Sequence, residues 1–315
     1  MSRFLLTGAT TPIGASVIRH LLADPSTERI LAVGAEQIRP TMVEVDGRVA
    51  YERLDLTRER NLRELLFGRC RDEGVEVIVD MAAHRRFGAT GARARALNVL
   101  ATRRLLDLAA EHPSIRRFVY RSYGEVHDVG EALPSLVDEM HPLNLDPRAP
   151  QWVRDRVEAD LTVCARMAMT KLSVAVLRAA ECLAPRTGSQ LHDYLGAKVC
   201  FRPMGYDPVF NLISEDDLGR ALALAARSDA EGVFTIPGAT TLPLKEIIRR
   251  SDRVDVPVPG PLMTPLYSLR RAVRGTSFDY ALNRGRLHFG VVLDGQRAER
   301  LLGYRPEVTV TFPKD

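Results

Sequence analysis

The residues best placed to do chemistry begin at the turn Thr7-Gly8-Ala9-Thr10-Thr11-Pro12-Ile13-Gly14, which sits between an apolar run and a helical pattern. Glycine lets the backbone approach a pyrophosphate, and the amides that open a helix then stabilise its charge. A glycine pair alone says little, but its place between a strand and a helix is the context such a motif requires. In the usual spacing a third glycine stands where this chain has Thr11, which is expected to narrow the room beside the phosphates. Chemistry that needs lysine has four candidates: Lys171, Lys198, Lys245 and Lys314. One Tyr-x-x-x-Lys exists, Tyr194 to Lys198, but it encloses Gly196, and glycine weakens the helix that would have to present both groups. Cys70, Cys164, Cys182 and Cys200 form no Cys-x-x-Cys pair and stand near no histidine at a zinc-like spacing. They read as small buried thiols, and no metal site is expected.

The elements that must position these residues follow from hydrophobic patterning. Apolar runs at Arg3–Thr7, Arg29–Val33, Tyr51–Leu54, Val75–Asp80, Phe118–Ser122 and Ser173–Arg178 predict buried strands. Helical spacing falls between them, over Ile13–Ala23, from beyond Thr57 to about Gly68, over Ala94–Ala110 and over Gln151–Met169. Continuous apolar strands alternating with amphipathic helices mean a parallel sheet covered on both faces. Right-handed connections then make a Rossmann-type, doubly wound α/β sheet the economical architecture. We expect this dinucleotide-binding domain over residues 1–180. Beyond Arg178 the alternation weakens and prolines and glycines become frequent. Residues 181–315 are expected to form mainly a smaller C-terminal substrate lobe, interleaved with late elements of the main sheet.

Composition narrows the class. The 315 residues are 45% hydrophobic and 27% charged, ordinary values for a globular chain. The net charge is +4 and the two signs are interleaved, whereas a nucleic-acid binder concentrates its positive charge. No stretch approaches the ~20 apolar residues of a membrane span, and the first apolar run is too short for a signal sequence. A cytoplasmic protein with a small-molecule substrate, no nucleic-acid partner and no transmembrane segment is expected.

The motifs together resemble those of the extended short-chain dehydrogenase/reductases, in the sugar-nucleotide epimerase/dehydratase branch, from about Ser2 to Pro306. TGATTPIG resembles that family's TGATGxIG loop, which implies cofactor contacts from Gly8, Thr10, Thr11, Pro12, Ile13 and Gly14. Asp55-Leu56 resembles its adenine-contacting position, and Met81-Ala82-Ala83-His84 its cofactor-lining segment after strand four. Asn98 matches the helix asparagine of its N-V-x-G-T segment, and Ser122 to Val126 resembles its SSxxVYG strand end. Asp216-Asp217-Leu218 and Leu293 to Pro306 resemble its late segments. The helices from Ala94 and from Gln151 resemble those of a four-helix interface in the family, which implies a homodimer.

In that family a Ser or Thr after strand five and a Tyr-x-x-x-Lys on the following helix carry the reaction. The phenol exchanges a proton with a substrate hydroxyl while a hydride moves to or from nicotinamide, and the lysine cation favours the phenolate. This chain departs at all three positions: beside Ser122, Tyr123 stands at the Ser/Thr, Trp152 at the Tyr and Arg156 at the Lys. Trp is a donor that does not titrate. Arg156 keeps the charge and is expected to bind ribose or phosphate. Tyr123 brings a phenol of its own, and His84, His127 and Asp155 are further candidates for proton transfer. Where the family places an acidic residue for the NAD ribose, this chain has Gly34, with Glu36 two residues on. Glu36 would repel a 2′-phosphate, for which Arg39 is the nearest arginine. The expected cofactor is therefore NAD, with NADP as the alternative. Arg178, Arg202 and Arg297 are the expected substrate contacts, because arginine forks suit the phosphates of a nucleotide sugar. Two functions follow: an epimerase/dehydratase-like enzyme acting on a nucleotide sugar or similar alcohol or ketone through a nonstandard proton relay, or a catalytically inactive dinucleotide-binding sensor or partner-binding protein.

Overall fold

The computed structural model describes residues 2–37, 46–84, 90–185, 187–274 and 278–313. The six apolar runs and one later segment form one seven-stranded sheet. Its strands are β1 (Ser2–Thr7), β2 (Thr27–Gly34), β3 (Val49–Arg53), β4 (Val77–Asp80), β5 (Arg117–Tyr123), β6 (Ser173–Ala179) and β7 (Gly232–Ile236). They lie in the order β3-β2-β1-β4-β5-β6-β7, and every neighbouring pair is parallel. Successive residues of a strand point to opposite faces, and both faces are covered. Phe4, Leu6, Ile30, Val119 and Leu177 pack beneath α1 (Pro12–Leu22) and α3 (Glu215–Arg227). Leu5, Leu31, Ile78, Phe118 and Val176 pack beneath the helical residues 59–72 and 92–111 and α2 (Gln151–Cys164). Each such side chain, fully buried, contributes roughly 1.5–3 kcal/mol.

Most boundaries move by one or two residues, and two of the differences have a visible cause. The helix from Gln151 ends at Cys164 and not at Met169, where Ala168 takes a left-handed φ of 59° that a helix cannot continue. The strand expected from Val75 begins at Val77, because the Val75 amide donates to the Cys70 carbonyl and closes the preceding helix instead.

The later residues build a smaller assembly around Tyr194, Phe210, Met263, Tyr267, Phe278 and Tyr280. It contains a three-stranded sheet of Thr240–Pro243, Val209–Ile213 and Glu181–Cys182, and a parallel pair of Val199–Pro203 and Val254–Val258. Another short pair, Leu136–Val137 with Val292–Leu293, ties the chain after β5 to the C-terminal residues. Tyr194 lies inside this assembly at 2% exposure, its phenol donating to the Phe201 carbonyl at 3.2 Å. The Tyr-x-x-x-Lys is thus a piece of core far in role from the sheet edge.

In this strand order the connections from β1 and β4 leave for opposite faces, and the carboxyl ends of the two strands part to leave a crevice. The glycine turn and the Met81–His84 segment meet there.

Candidate functional site

Gly8 adopts a φ of +69°, and a Cβ there would meet the Met81 carbonyl oxygen at 3.0 Å. At Gly14 a Cβ would meet Ala9 Cα and the Gly8 oxygen at 2.7 Å, so the first turn of α1 can lie against the loop only without a side chain. Thr11 is the helix cap. Its hydroxyl accepts from the Gly14 amide at 2.9 Å and donates to the Gly8 carbonyl at 2.9 Å. The side chain expected to crowd the phosphates is therefore folded back into the turn. The cap has a cost for anion binding: Pro12 has no N–H to offer and the Gly14 amide is already received. No acidic residue in the first turn of α1 opposes an anion. Ile13 is buried at 1% exposure and anchors the turn, and Thr10 packs toward Gly34. A Cβ on Gly34 would meet Thr10 Cγ2 at 2.9 Å and the Tyr51 phenol at 3.1 Å, which gives a steric reason for glycine where an acid was expected. Glu36 is exposed just beyond, and its carbonyl accepts from the Tyr51 phenol. Arg39 lies outside the described residues.

Across the crevice, buried Asp80 accepts from the hydroxyls of Thr7 at 2.5 Å and Thr102 at 2.8 Å. Burial raises its pKa from the ordinary carboxylate range. The Thr7 oxygen in turn accepts from the Met81 and Ala82 amides at 3.0 and 3.1 Å. The His84 amide donates to Asn98 Oδ1 at 2.8 Å, and Asn98 stands in a widened, π-helical turn over Ala96–Ala101. Met81, Ala82, Ala83 and His84 are thereby fixed as a wall. Asp55 is exposed beyond β3, held below the ordinary carboxylate range by the Thr57 hydroxyl, while Leu56 is buried in the core.

At the end of β5 two guanidinium groups lie close over the Tyr123 ring. Arg156 is 3.7 Å and Arg121 4.5 Å from the ring centroid, and Arg121 donates to the phenol oxygen at 3.3 Å. Arg121 and Tyr123 share a strand face. Trp152, Arg156 and Asp160 share a helix face at four-residue spacing. Arg156 also covers Trp152 at 4.7 Å and pairs with Glu125 at 3.2 Å. Ala82, Ala83, His84 and Asn98 line the same pocket as Tyr123, Trp152 and Arg156. Those predicted residues are brought together.

Others are not. Ser122 is fully buried and donates its hydroxyl to Asp160 at 2.5 Å, inside the protein and not at the edge. Arg178, expected at substrate, donates to both oxygens of the same Asp160 at 2.7 and 3.1 Å, with 5% of the residue exposed. Arg202 grips Asp255 at 2.8 Å in the smaller assembly. Arg297 donates to the Val233 carbonyl at 3.0 Å and fastens the helix Gln296–Leu302 to β7. All three forks are engaged within the protein. Asp155 faces Arg95 at 3.6 Å and Gln151 at 3.4 Å, on another side of α2.

Next to this pocket, and sharing Trp152 with it, a cavity of about 210 Å³ opens between the sheet edge and the smaller assembly. Glu125, Glu181 and Arg286 form a charge chain along it. Arg286 pairs with Glu181 and lies 3.8 Å from Glu125, which holds Arg156 on its other oxygen. Burial opposes the charge on Glu181, but Arg286, the Leu191 amide and the Ser189 hydroxyl outweigh it and keep its pKa low. Sequence reasoning missed Arg121, Glu125 and Arg286. The two-residue step from Arg121 to Tyr123 was a readable strand signal. Arg286 is brought in from the far end of the chain and gave none.

A parallel seven-stranded sheet with a glycine turn at its switch point defines a Rossmann-type fold. Residues 40–206 match the model of the NAD-binding family described as male sterility protein, and the chain belongs to that family. It is 30% identical over 311 residues to an uncharacterized protein of Mycobacterium bovis, covering 97% of this chain and 80% of that one. The dTDP-glucose 4,6-dehydratase of Bacillus anthracis, solved in complex with NAD, superposes with a TM-score of 0.71 at 18% identity, covering 98% of this chain and 93% of that one. The UDP-glucuronic acid 4-epimerase of Bacillus cereus, also solved with NAD, gives 0.67 at 18% identity, covering 98% and 94%. At such identity the likeness is one of fold. Among the described residues no helix is long and apolar enough to cross a membrane.

Proposed function

We propose that this protein binds NAD, with NADP as the alternative, and acts on a nucleotide sugar or a similar alcohol or ketone. The observation that carries the reading is the Tyr123 phenol, which accepts from Arg121 and has Arg156 over its ring, in a pocket lined by Ala82, His84 and Asn98. Gly8 and Gly14 let the loop and the first turn of α1 close against Met81 and Ala9, which puts the backbone of the turn at the crevice where a diphosphate would lie. Gly8, Thr10, Thr11, Pro12, Ile13 and Gly14 would hold the diphosphate end, Asp55 and Leu56 the adenine end, and Glu36 the adenosine ribose. Met81 to His84, Asn98 and Arg156 would hold the other end. Nicotinamide, when bound, supplies the site that takes or gives a hydride.

The chain's own part is proton movement and positioning. Tyr123 Oη exchanges a proton with the substrate hydroxyl. Arg121, which donates to that oxygen, stabilises negative charge that develops on it. Arg156 lies over the ring and fixes it, and Trp152 closes the pocket without titrating. We place the protein in the cytoplasm as a homodimer formed through residues 92–111 and α2.

A second reading, a dinucleotide-binding protein without turnover, is favoured by one observation: the Ser122 hydroxyl is spent on Asp160. NMR of the sugar separates the two, with NAD and either UDP-glucose or UDP-glucuronic acid as the mixture, because an epimerase or dehydratase returns its hydride to the sugar and leaves no net change at the nicotinamide band. Turnover that Tyr123→Phe lowers by about 10²–10⁴ supports the first reading. NAD binding with both sugars left unchanged supports the second.

A further inference from the structure

We propose that Arg121 selects the oxidation state of the bound cofactor, so that the uncharged, reduced nicotinamide is held in preference to the cationic, oxidised one. This rests on the reading that the nicotinamide end lies in the pocket of Ala82, His84, Asn98 and Arg156, and adds which form of it the chain favours.

The observation is a charge without a counter-charge. Arg121 is 9% exposed, and its guanidinium meets Tyr123, donating from Nη1 to the phenol oxygen at 3.3 Å and lying 4.5 Å from the ring centroid. Among the described residues it pairs with no carboxylate. Those that line the pocket with Arg121 and Arg156 include no carboxylate either. The acids around it are committed elsewhere. Glu125 takes Arg156 at 3.2 Å, Glu181 takes Arg286, and Asp160 takes Arg178 at 2.7 Å. Asp155 faces Arg95 and Gln151 on another side of α2, and buried Asp80 is bonded to Thr7 and Thr102. Glu215, at the start of α3, is exposed, where water and salt screen it. The Cys182 thiol, which feels the Arg121 charge, is pushed up to about 12 by burial and brings no negative charge. Four guanidinium groups, Arg121, Arg156, Arg178 and Arg286, thus meet three carboxylates, Glu125, Asp160 and Glu181, and one positive charge is left over at the pocket.

The consequence follows from Coulomb's law and needs no contact. Like charges repel well beyond touching distance where water is kept out. The oxidised nicotinamide ring carries a positive charge, and the reduced ring carries none. With one positive charge already unbalanced, the pocket takes the oxidised ring against a repulsion that the reduced ring does not meet. Tyr123 and Trp152 offer their rings to either form and do not discriminate by charge sign as strongly as a full cation does. A resting protein loaded with the reduced cofactor is set to meet a ketone, not an alcohol.

The test titrates the full chain with NADH, NAD⁺ and ADP-ribose, the last a reference that has no nicotinamide ring. NADH is expected to bind roughly tenfold or more tighter than NAD⁺, and to gain more over ADP-ribose than NAD⁺ does. Arg121→Gln should raise the affinity for NAD⁺ and lower the NADH-to-NAD⁺ ratio by about that factor. Arg121→Lys, which keeps the charge, should keep the ratio. The wild-type comparison stands whether or not Arg121→Gln folds, which its melting without ligand shows. Equal wild-type affinity for NADH and NAD⁺ overturns the proposal. A preference that survives intact in Arg121→Gln overturns it too, since it would then come from the ring surface and not from the charge. Failure of all three nucleotides to bind defeats the reading of the site, whereas binding of all three without discrimination by ring charge defeats this inference alone.

Discussion

Asp160 receives the Ser122 hydroxyl and both nitrogens of the Arg178 fork at a position with no exposure, so its loss would strand a cation and a hydroxyl together. Breaking a buried pair from one side costs about 3–5 kcal/mol, far more than the net worth of an exposed ion pair. Asp160→Ala is therefore expected to lower unfolding free energy by roughly that amount in a urea titration. Unchanged stability would mean that water reaches Arg178. The four-residue spacing of Trp152, Arg156 and Asp160 could be read as one helix face from the sequence. What that face would meet could not. Arg178 and Arg202 look like available forks in the sequence because their carboxylate partners, Asp160 and Asp255, lie 18 and 53 positions away and are brought near by tertiary folding alone.

The opening of α1 does two things at once, and Thr11 links them. Its hydroxyl caps the helix while fastening the loop back to Gly8. Thr11→Ala should cost about 1 kcal/mol in chemical denaturation, and Thr11→Ser should restore most of it, since Ser caps as well as Thr. Equal stability of all three proteins would remove the cap from the account. The apolar runs made six strands of the large sheet legible because strands buried on both faces carry near-continuous hydrophobic residues. The seventh, β7, reads GVFTI among prolines and glycines, and so short a segment has no pattern of its own to separate it from a loop. Its place beside β6 is fixed by register with Ala175 to Ala179.

For the whole molecule, the buried His127 ties stability to pH. Burial, then Arg178 and His141, lower its pKa from 6.5 to about 4. Between those values the unfolded chain binds a proton that the folded chain refuses. The contribution is therefore intact above pH 6.5 and is lost as pH falls toward 4. One pKa unit is worth 1.36 kcal/mol, so this loss reaches about 3 kcal/mol. The acid-unfolding midpoint of His127→Phe, followed by circular dichroism, should lie below that of the wild type, and coincident midpoints would place the imidazole in water. The architecture, its parallel order and the glycine turn were readable from the chain because they rest on local periodicity and on turn chemistry. The cavity, lined by residues from Gly124 to Leu293, arises where distant segments meet and has no local signature. The central claim is that a dinucleotide lies across the carboxyl edge of the sheet with its diphosphate at the start of α1. Isothermal calorimetry of the full chain with NAD tests it most directly. Saturable one-to-one binding that Arg156→Ala weakens is the predicted result, and an absence of heat with both NAD and NADP would contradict it.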